Sequence, residues 1–227
     1  MTIVAPPRKM LEVIVTSLSD ALEAEAGGAD RLEVVRDLSA GGLTPDLALV
    51  AAIRSSVSIP VRAMLRGNPS MQIADAAELE KLQREAAAFS QLSIDGVVLG
   101  FVVNDSIDTS TLREVAAAAP DLKITFHRAF DILPNPMEAI STLKGVPMVD
   151  RILTGGGSGS WAVRKARLQF WQQHASPQIK ILFGAGLQSV SDSAIEEVHI
   201  GRAARNPPEH HAPVCRAKVA ELKGLLA

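Results

Sequence analysis

Short apolar runs alternate with amphipathic segments along almost the whole chain. The runs begin near residues 11, 31, 61, 95, 123, 149, 179 and 198. Between Asp75 and Leu92, the apolar residues Leu79, Leu82, Ala86 and Phe89 are spaced by three or four positions, which predicts an amphipathic helix that covers a sheet. Alternation of this kind is typical of βα units around a parallel sheet.

The number and spacing of these units predict one α/β domain. Eight parallel units close as a single (β/α)8 TIM barrel, which we place at residues 10–227 after a tail at 1–9. A doubly wound open sheet is the alternative, but the Gly-x-Gly-x-x-Gly turn after the first strand is missing. The segment from about Gln188 to Glu197 is brief, so we expect a short or missing helix between strands seven and eight. In the second unit, Thr44 can cap the helix that follows Pro45.

Polar residues interrupt several of the predicted strands. Glu12 and Glu33 lie inside otherwise apolar runs, where an unpaired carboxylate is costly. The fifth run ends in His127, Arg128 and Asp131. This segment is either a functional group of side chains or a buried histidine bonded to the backbone beside a structural Arg128–Asp131 ion pair.

In a barrel, side chains at the carboxyl ends of the strands meet at one mouth, where barrel active sites lie. Glu12, Glu33 and His127 are the candidate acid–base residues, and together with His199 they are candidate ligands of a divalent metal. The competing interpretation is a polar core of Glu–Arg pairs in the lumen. The sequence leaves both open.

Anion binding is predicted at the same mouth. Glycine turns at Gly184–Gly186 and Gly201–Ala203 lie where many barrels bind phosphate through backbone N–H groups. The candidate residues for binding a small anion are Arg66, Arg128, Thr154, Gly184, Gly186, Gly201 and Arg202. Lys123 and Lys180 stand at strand beginnings, which argues against a Schiff-base aldolase. Isomerase, lyase and hydrolase chemistry remain, and an enzyme is not distinguished from a sensor.

Charge and cysteine content narrow the class of protein further. The 23 Lys and Arg residues balance 25 Asp and Glu residues, so neither nucleic acid nor an anionic membrane is an expected partner. Cys215 is the single cysteine, and the N-terminus lacks the apolar core of a signal peptide. No apolar run approaches the length of a bilayer span. We therefore expect a soluble, cytoplasmic protein.

Several motifs resemble those of the CutC copper homeostasis family, from about Met10 to the end of the chain. They are Gly27–Glu33, Gly41–Pro45, Phe126–Asp131, Arg151–Thr154 and Glu197–His199. The resemblance implies a cytoplasmic barrel that usually self-associates, hence a homo-oligomer, and a link by name to copper handling.

One departure from the family pattern bears on the metal. Relatives credited with binding copper have cysteines at the positions of Ile14 and Val35, and copper(I) prefers thiolate and thioether ligands. We therefore predict no thiolate copper site and no definite cofactor, with a divalent metal at the carboxylates and histidines as an open alternative. Two functions remain: a copper homeostasis protein, or a barrel enzyme or sensor for a small phosphorylated or carboxylated metabolite. The residues favour the second.

Overall fold

The computed structural model describes residues 9–184 and 196–226. Its strands are β1 (Met10–Val15), β2 (Arg31–Val34), β3 (Val61–Met64), β4 (Gly96–Leu99), β5 (Val102–Val103), β6 (Ser106–Ile107), β7 (Lys123–Phe126), β8 (Val149–Thr154), β9 (Lys180–Phe183) and β10 (Glu197–Ile200). Eight of them form a closed parallel barrel in the order β1-β10-β9-β8-β7-β4-β3-β2. The predicted (β/α)8 barrel is confirmed, and its closure excludes the open sheet.

Helices lie between the strands and cover the outside of the barrel. They are α1 (Leu18–Ala26), α2 (Leu47–Ser56), α3 (Ala76–Ser90), α4 (Thr109–Ala117), α5 (Pro136–Lys144), α6 (Trp161–Ala175) and α7 (Arg216–Gly224). Helix α3 begins after Asp75, whose side chain accepts a hydrogen bond from the Glu78 N–H. The predicted short helix before β10 and the predicted anion-binding Gly186 fall largely or wholly at 185–195, outside the described residues. None of the described helices combines the length and hydropathy of a membrane span.

Thr44 does not have the capping role that its position suggests. Asp46 immediately precedes α2, and its own backbone is extended. The Thr44 hydroxyl instead accepts a hydrogen bond from the Arg66 N–H at 2.9 Å and donates one to the Arg66 carbonyl at 3.1 Å. Thr44 therefore fixes the backbone of the residue that carries a guanidinium into the mouth.

Inside the barrel, polar and apolar residues occupy different levels. Arg62 is fully buried near the amino ends of the strands, where it bonds Asp95 at 2.8 Å and Asp150 at 2.7 Å. Arg151 bonds Glu197 at 2.7 Å at the same end. These ion pairs form a polar layer at the amino ends of the strands. Nearer the mouth, a separate apolar cluster consists of Ile14, Val35, Met64 and Val98.

Candidate functional site

A cavity of about 750 Å³ opens at the carboxyl ends of the barrel strands. Its polar lining side chains are Glu33, Arg66, His127, Arg128, Asp131, His199, Arg202 and His210. Most of the predicted site residues therefore reach one space. Glu12 and Thr154 do not line it.

Three of the predicted residues form one cluster at the floor of this cavity. His199 Nδ1 lies 2.7 Å from Glu12 Oε1, and His199 Nε2 lies 3.3 Å from Glu33 Oε2. Glu12 also bonds the Nε of Arg31 through its other oxygen. Strand register explains the grouping, because Glu12 of β1 is paired with His199 of β10 on one side and with Arg31 of β2 on the other.

The surroundings shift the pKa values of the Glu12 and Glu33 carboxylates in opposite directions. Burial alone would raise the pKa of Glu12, but the Arg31 cation and His199 outweigh burial and hold that pKa well below its ordinary value. Burial raises the pKa of Glu33 to about 7, with repulsion from Glu12 adding to the rise and His199 opposing it. Burial would lower the pKa of His199, but Glu33 and Glu12 together raise it.

Glu33 therefore has the properties of a general acid–base group. Its pKa of about 7 is close to the value at which a group exchanges protons best at neutral pH. Its Oε1 is buried and has no hydrogen-bond partner among the described residues. Glu12, in contrast, holds His199 in place and stays ionised.

The same cluster brings together residue types that bind metal ions. One potential ligand atom each from Glu12, Glu33 and His199 lie within 4.8 Å of one another. Glu12 lies at Nδ1 of His199, a contact that orients the ring so that Nε2, beside a Glu33 oxygen, faces the position that a divalent metal would take. Ile14 and Val35 contribute methyl groups to the lumen where a thiol would be needed. This donor set does not fit copper(I).

Arg66 carries a positive charge to the cavity without a carboxylate partner among the described residues. Its guanidinium donates to the carbonyls of Gly41 and Gly42 at 3.4 Å each, of Ser70 at 3.3 Å, and of Pro69. The side chain is largely buried, and burial lowers its pKa. A buried cation held only by neutral groups favours an anion beside it.

The structure changes the role predicted for His127. Its Nδ1 accepts a hydrogen bond from the Ala129 N–H at 3.2 Å. Burial, followed by the charge of Arg66, lowers its pKa to about 3. A ring that stays neutral and whose Nδ1 lone pair is occupied does not serve as an acid–base group at neutral pH. His127 does not belong to the group of potential metal ligands found among the described residues.

Asp131 follows β7 and accepts hydrogen bonds from residues at the end of β8. Two of its partners, Arg128 and Thr154, are residues that the sequence predicted to bind an anion. It accepts hydrogen bonds from Arg128 Nε at 2.8 Å, from the Thr154 hydroxyl and from the Gly155 N–H at 3.0 Å. Thr154 is fully buried behind it. The Thr154 hydroxyl is therefore engaged by Asp131, and its anion-binding role stays a prediction, while Arg128 pairs with Asp131 and lines the cavity.

The glycines of the predicted phosphate site make room for side chains. The Gly184 N–H donates to the Thr154 carbonyl at 3.0 Å, so it is not free to bind phosphate. A Cβ at Gly184 would lie 2.7 Å from Leu153 and 3.3 Å from His199. At Gly201 a Cβ would lie 3.0 Å from Ile14. Of this predicted group, Arg202 at the exposed rim remains the candidate for contacting a ligand.

Sequence reasoning missed two residues of this region. Arg31 stands two positions before Glu33 on the same strand face, so the two-residue period alone could have identified it. His210 lines the cavity from a loop after β10, and no periodicity marks a loop residue.

Comparison with known proteins identifies relatives along most of the chain. The model of the CutC family matches residues 9–201. A CutC family protein of Xanthomonas axonopodis pv. citri is 34% identical over 192 residues, which cover 84% of this chain and 79% of that protein. The human copper homeostasis protein cutC homolog is 32% identical over 179 residues, which cover 78% of this chain and 65% of that protein.

Solved structures show the same fold. A CutC copper homeostasis protein of Streptococcus agalactiae superposes with a TM-score of 0.76 at 22% identity, covering 85% of this chain and 98% of that one. Sialic acid aldolase of Ruminococcus gnavus superposes with a TM-score of 0.63 at 12% identity, covering 86% of this chain and 68% of that one. Among the described residues that line the cavity there is no lysine, so the aldolase shares the architecture alone. The family model and these identities show that the chain belongs to the CutC family.

Proposed function

We propose that the barrel mouth binds a small carboxylated or phosphorylated metabolite and that Glu33, with His199, exchanges protons with it. The observation that carries this proposal is the position of Arg66. Its charge has no carboxylate partner in the described part of the chain, and it faces the same cavity as Glu33. An anion held by the guanidinium would lie in the space that the acid–base group lines.

The charges around the cavity support an anionic ligand. Arg202 and Arg128 also line the mouth, and Asp131 offsets the charge of Arg128 at 2.8 Å. Glu33 has a pKa of about 7, so it can be neutral when an anion arrives. Isomerase, lyase and hydrolase reactions each need such a proton-exchanging group, and the lining residues favour all three over lysine chemistry.

Replacing Arg66 by methionine tests the anion site directly. Calorimetric titration with inorganic phosphate and with pyruvate should show binding to the parent protein. We expect the Arg66→Met variant to bind both about 10- to 100-fold more weakly, because a charge-assisted hydrogen bond contributes about 1.5–3 kcal/mol. The difference in affinity between the parent and Arg66→Met should become smaller as the salt concentration rises, because salt screens the charge that holds the ligand.

Arg54→Met is the matched control for this experiment. Arg54 also donates to backbone carbonyls, those of Ser93 and Val57 at 3.0 Å each, but it does not line the cavity. Its variant should bind both anions like the parent. Equal affinities in the parent and both variants, or no binding by the parent, would contradict the proposed anion site.

Copper handling is the second candidate function, because the human relative is named a copper homeostasis protein. The residues present make direct copper(I) coordination at the mouth a poor fit. Cys215 precedes α7 and does not line the cavity. Met64 and Met71 line the cavity as thioether donors, but no thiolate accompanies them, because Cys215 is the single cysteine of the chain.

We expect the protein to bind copper(I) weakly. In a competition titration against a chromophoric copper(I) chelator, the chelator should retain the metal, because thiolate ligands are missing from the lumen. The Cys215→Ser variant serves as the control for adventitious thiol binding. Tight one-to-one binding that persists in this variant would show that the barrel holds copper by other means.

A further inference from the structure

We infer that His127 donates a hydrogen bond from Nε2–H to a carbonyl oxygen of the bound anion, so that the ligand class is a small 2-oxo acid. This inference rests on the proposed anion site and specifies its ligand. It gives His127 a role that differs from the acid, base and metal-ligand roles suggested by its sequence position. Four features of the ring and its surroundings support it.

The first feature is the tautomer. A neutral imidazole has one nitrogen that donates and one that accepts. The Ala129 N–H donates to Nδ1 at 3.2 Å, so Nδ1 must keep its lone pair. The proton of the neutral ring therefore lies on Nε2.

The second feature is that the Nε2–H group of His127 has no acceptor among the described residues. His127 is 4% exposed and lines the cavity. Its Nε2 is buried and has no hydrogen-bond partner among the described residues. A buried donor without an acceptor destabilises the fold, and a ligand oxygen in the cavity would satisfy it.

The third feature is the packing that holds the ring. At the end of β4, a Cβ at Gly100 would lie 2.6 Å from His127 Nδ1 and 2.8 Å from Cε1. Glycine at this position is therefore needed for the ring to lie where it does. At the same Nδ1 edge, the ring accepts the hydrogen bond of the Ala129 N–H. This fixes the direction of Nε2–H before any ligand binds.

The fourth feature is the neighbouring charge. Burial and the Arg66 cation lower the pKa of His127 to about 3, so the ring is neutral at physiological pH. Arg66 and His127 line the same cavity, and we assign the carboxylate to Arg66 and the adjacent C2 oxygen to this donor. A neutral imidazole that polarises a carbonyl is a known electrophile in barrel enzymes.

This arrangement suits removal of a proton from the carbon next to the carbonyl. The C–H bond breaks and its proton passes to the carboxylate of Glu33. The electron pair forms a C=C bond while the carbonyl pair moves onto oxygen, where His127 Nε2–H stabilises the charge. No oxidant or further reactant is required.

The tautomer can be measured without any ligand. Long-range ¹H–¹⁵N correlation spectra of the full chain, assigned with the His127→Gln variant, should show protonated Nε2 and unprotonated Nδ1 for His127 at pH 7. The ring should remain neutral at pH 5. A ring protonated on Nδ1, or an imidazolium at pH 5, would overturn the inference.

Binding tests whether the donor recognises a carbonyl. Pyruvate, lactate and propionate share a carboxylate and differ in the oxygen at C2. We expect the parent to bind pyruvate about tenfold more tightly than propionate, equivalent to one hydrogen bond of about 1.4 kcal/mol. Lactate, whose hydroxyl can also accept, should lie between them.

Two substitutions of His127 separate its contacts. The shorter amide side chain of the His127→Asn variant can still accept from the Ala129 N–H but has no group at the position of Nε2. His127→Gln retains an N–H donor there. The Gln variant should keep the preference for pyruvate, and the Asn variant should bind all three acids as the parent binds propionate.

The outcomes distinguish this inference from the proposed function. Equal affinity of the parent for pyruvate and propionate, or a preference that survives in the Asn variant, would overturn the role of His127 while leaving the anion site intact. Failure of all three acids to bind would instead overturn the anion site. The ring-nitrogen spectrum would then still decide the protonation of His127.

Discussion

Replacing Arg31 by methionine is expected to lower the free energy of unfolding by about 3–5 kcal/mol at pH 7. Arg31 is 3% exposed, bonds Glu12 through Nε and lies 3.7 Å from Glu197 through its terminal nitrogen. Its removal leaves the Glu12 carboxylate buried with His199 as its remaining hydrogen-bond partner among the described residues. Urea-induced unfolding monitored by circular dichroism measures the difference.

The dependence on pH identifies the cause of this loss. Arg31 helps to lower the pKa of Glu12 from its ordinary value of 4.5. A lowered pKa in the folded state contributes stability above pH 4.5 that is lost as the pH falls through the folded-state pKa. The difference between the parent and Arg31→Met should therefore shrink as the pH is lowered below about 4.5.

Two further variants test the pairing itself. The double variant Arg31→Met/Glu12→Gln removes both charges and should recover much of the lost stability. Arg84→Met breaks an exposed pair with Glu80 at 3.6 Å and should change stability by less than about 1 kcal/mol. If Arg31→Met were as mild as Arg84→Met, the Glu12–Arg31 pair would not be the anchor of the site.

We expect the free energy of unfolding of the Glu33→Gln variant, compared with that of the parent, to increase as the pH rises. Burial raises the pKa of Glu33 from 4.5 to about 7, so the parent gains a favourable contribution below pH 4.5 that is lost as the pH rises through 7. Glutamine does not titrate. At about 1.4 kcal/mol per pH unit, Glu33→Gln should gain about 2–3 kcal/mol over the parent between pH 5 and pH 7.

The coupling to His199 acts in the same direction. Glu33 and Glu12 raise the pKa of His199, so the parent also loses stability above the ordinary pKa of a histidine. Removing the Glu33 charge reduces that loss. Urea unfolding at both pH values measures the double difference, and Glu80→Gln, on the exposed face of α3, is the control for a lost surface carboxylate. If the difference in unfolding free energy between Glu33→Gln and the parent did not change with pH, Glu33 would not be an acid–base group that titrates near neutral pH.

The Glu33 variant also separates fold from chemistry. It should keep the anion affinity of Arg66, because the guanidinium is held by backbone carbonyls and not by Glu33. Any proton exchange with the ligand should be lost. Retained affinity together with lost exchange would assign anion binding to Arg66 and proton transfer to Glu33.

The alternation of apolar runs and amphipathic segments along the sequence was sufficient to predict the barrel. The apolar runs predicted to begin near residues 11 and 149 are β1 and β8, which begin at Met10 and Val149, because strands that are apolar on both faces are covered on both faces in a parallel sheet. The positions of Glu12, Glu33 and Arg66 in or just after predicted barrel strands also predicted that they would lie near one mouth. Their presence in one region follows from strand alternation and the closure of eight units.

The partners and protonation states depended on the tertiary structure. Glu12 and His199 are separated by 187 residues and meet because β1 and β10 pair in one register. Which ring nitrogen of His127 accepts a hydrogen bond follows from the backbone N–H of Ala129, and the ring has room there because residue 100 is glycine. Spacing along the sequence fixes which face a side chain occupies, but hydrogen bonding and the local dielectric, which set a pKa, arise between strands that only the closed barrel brings together.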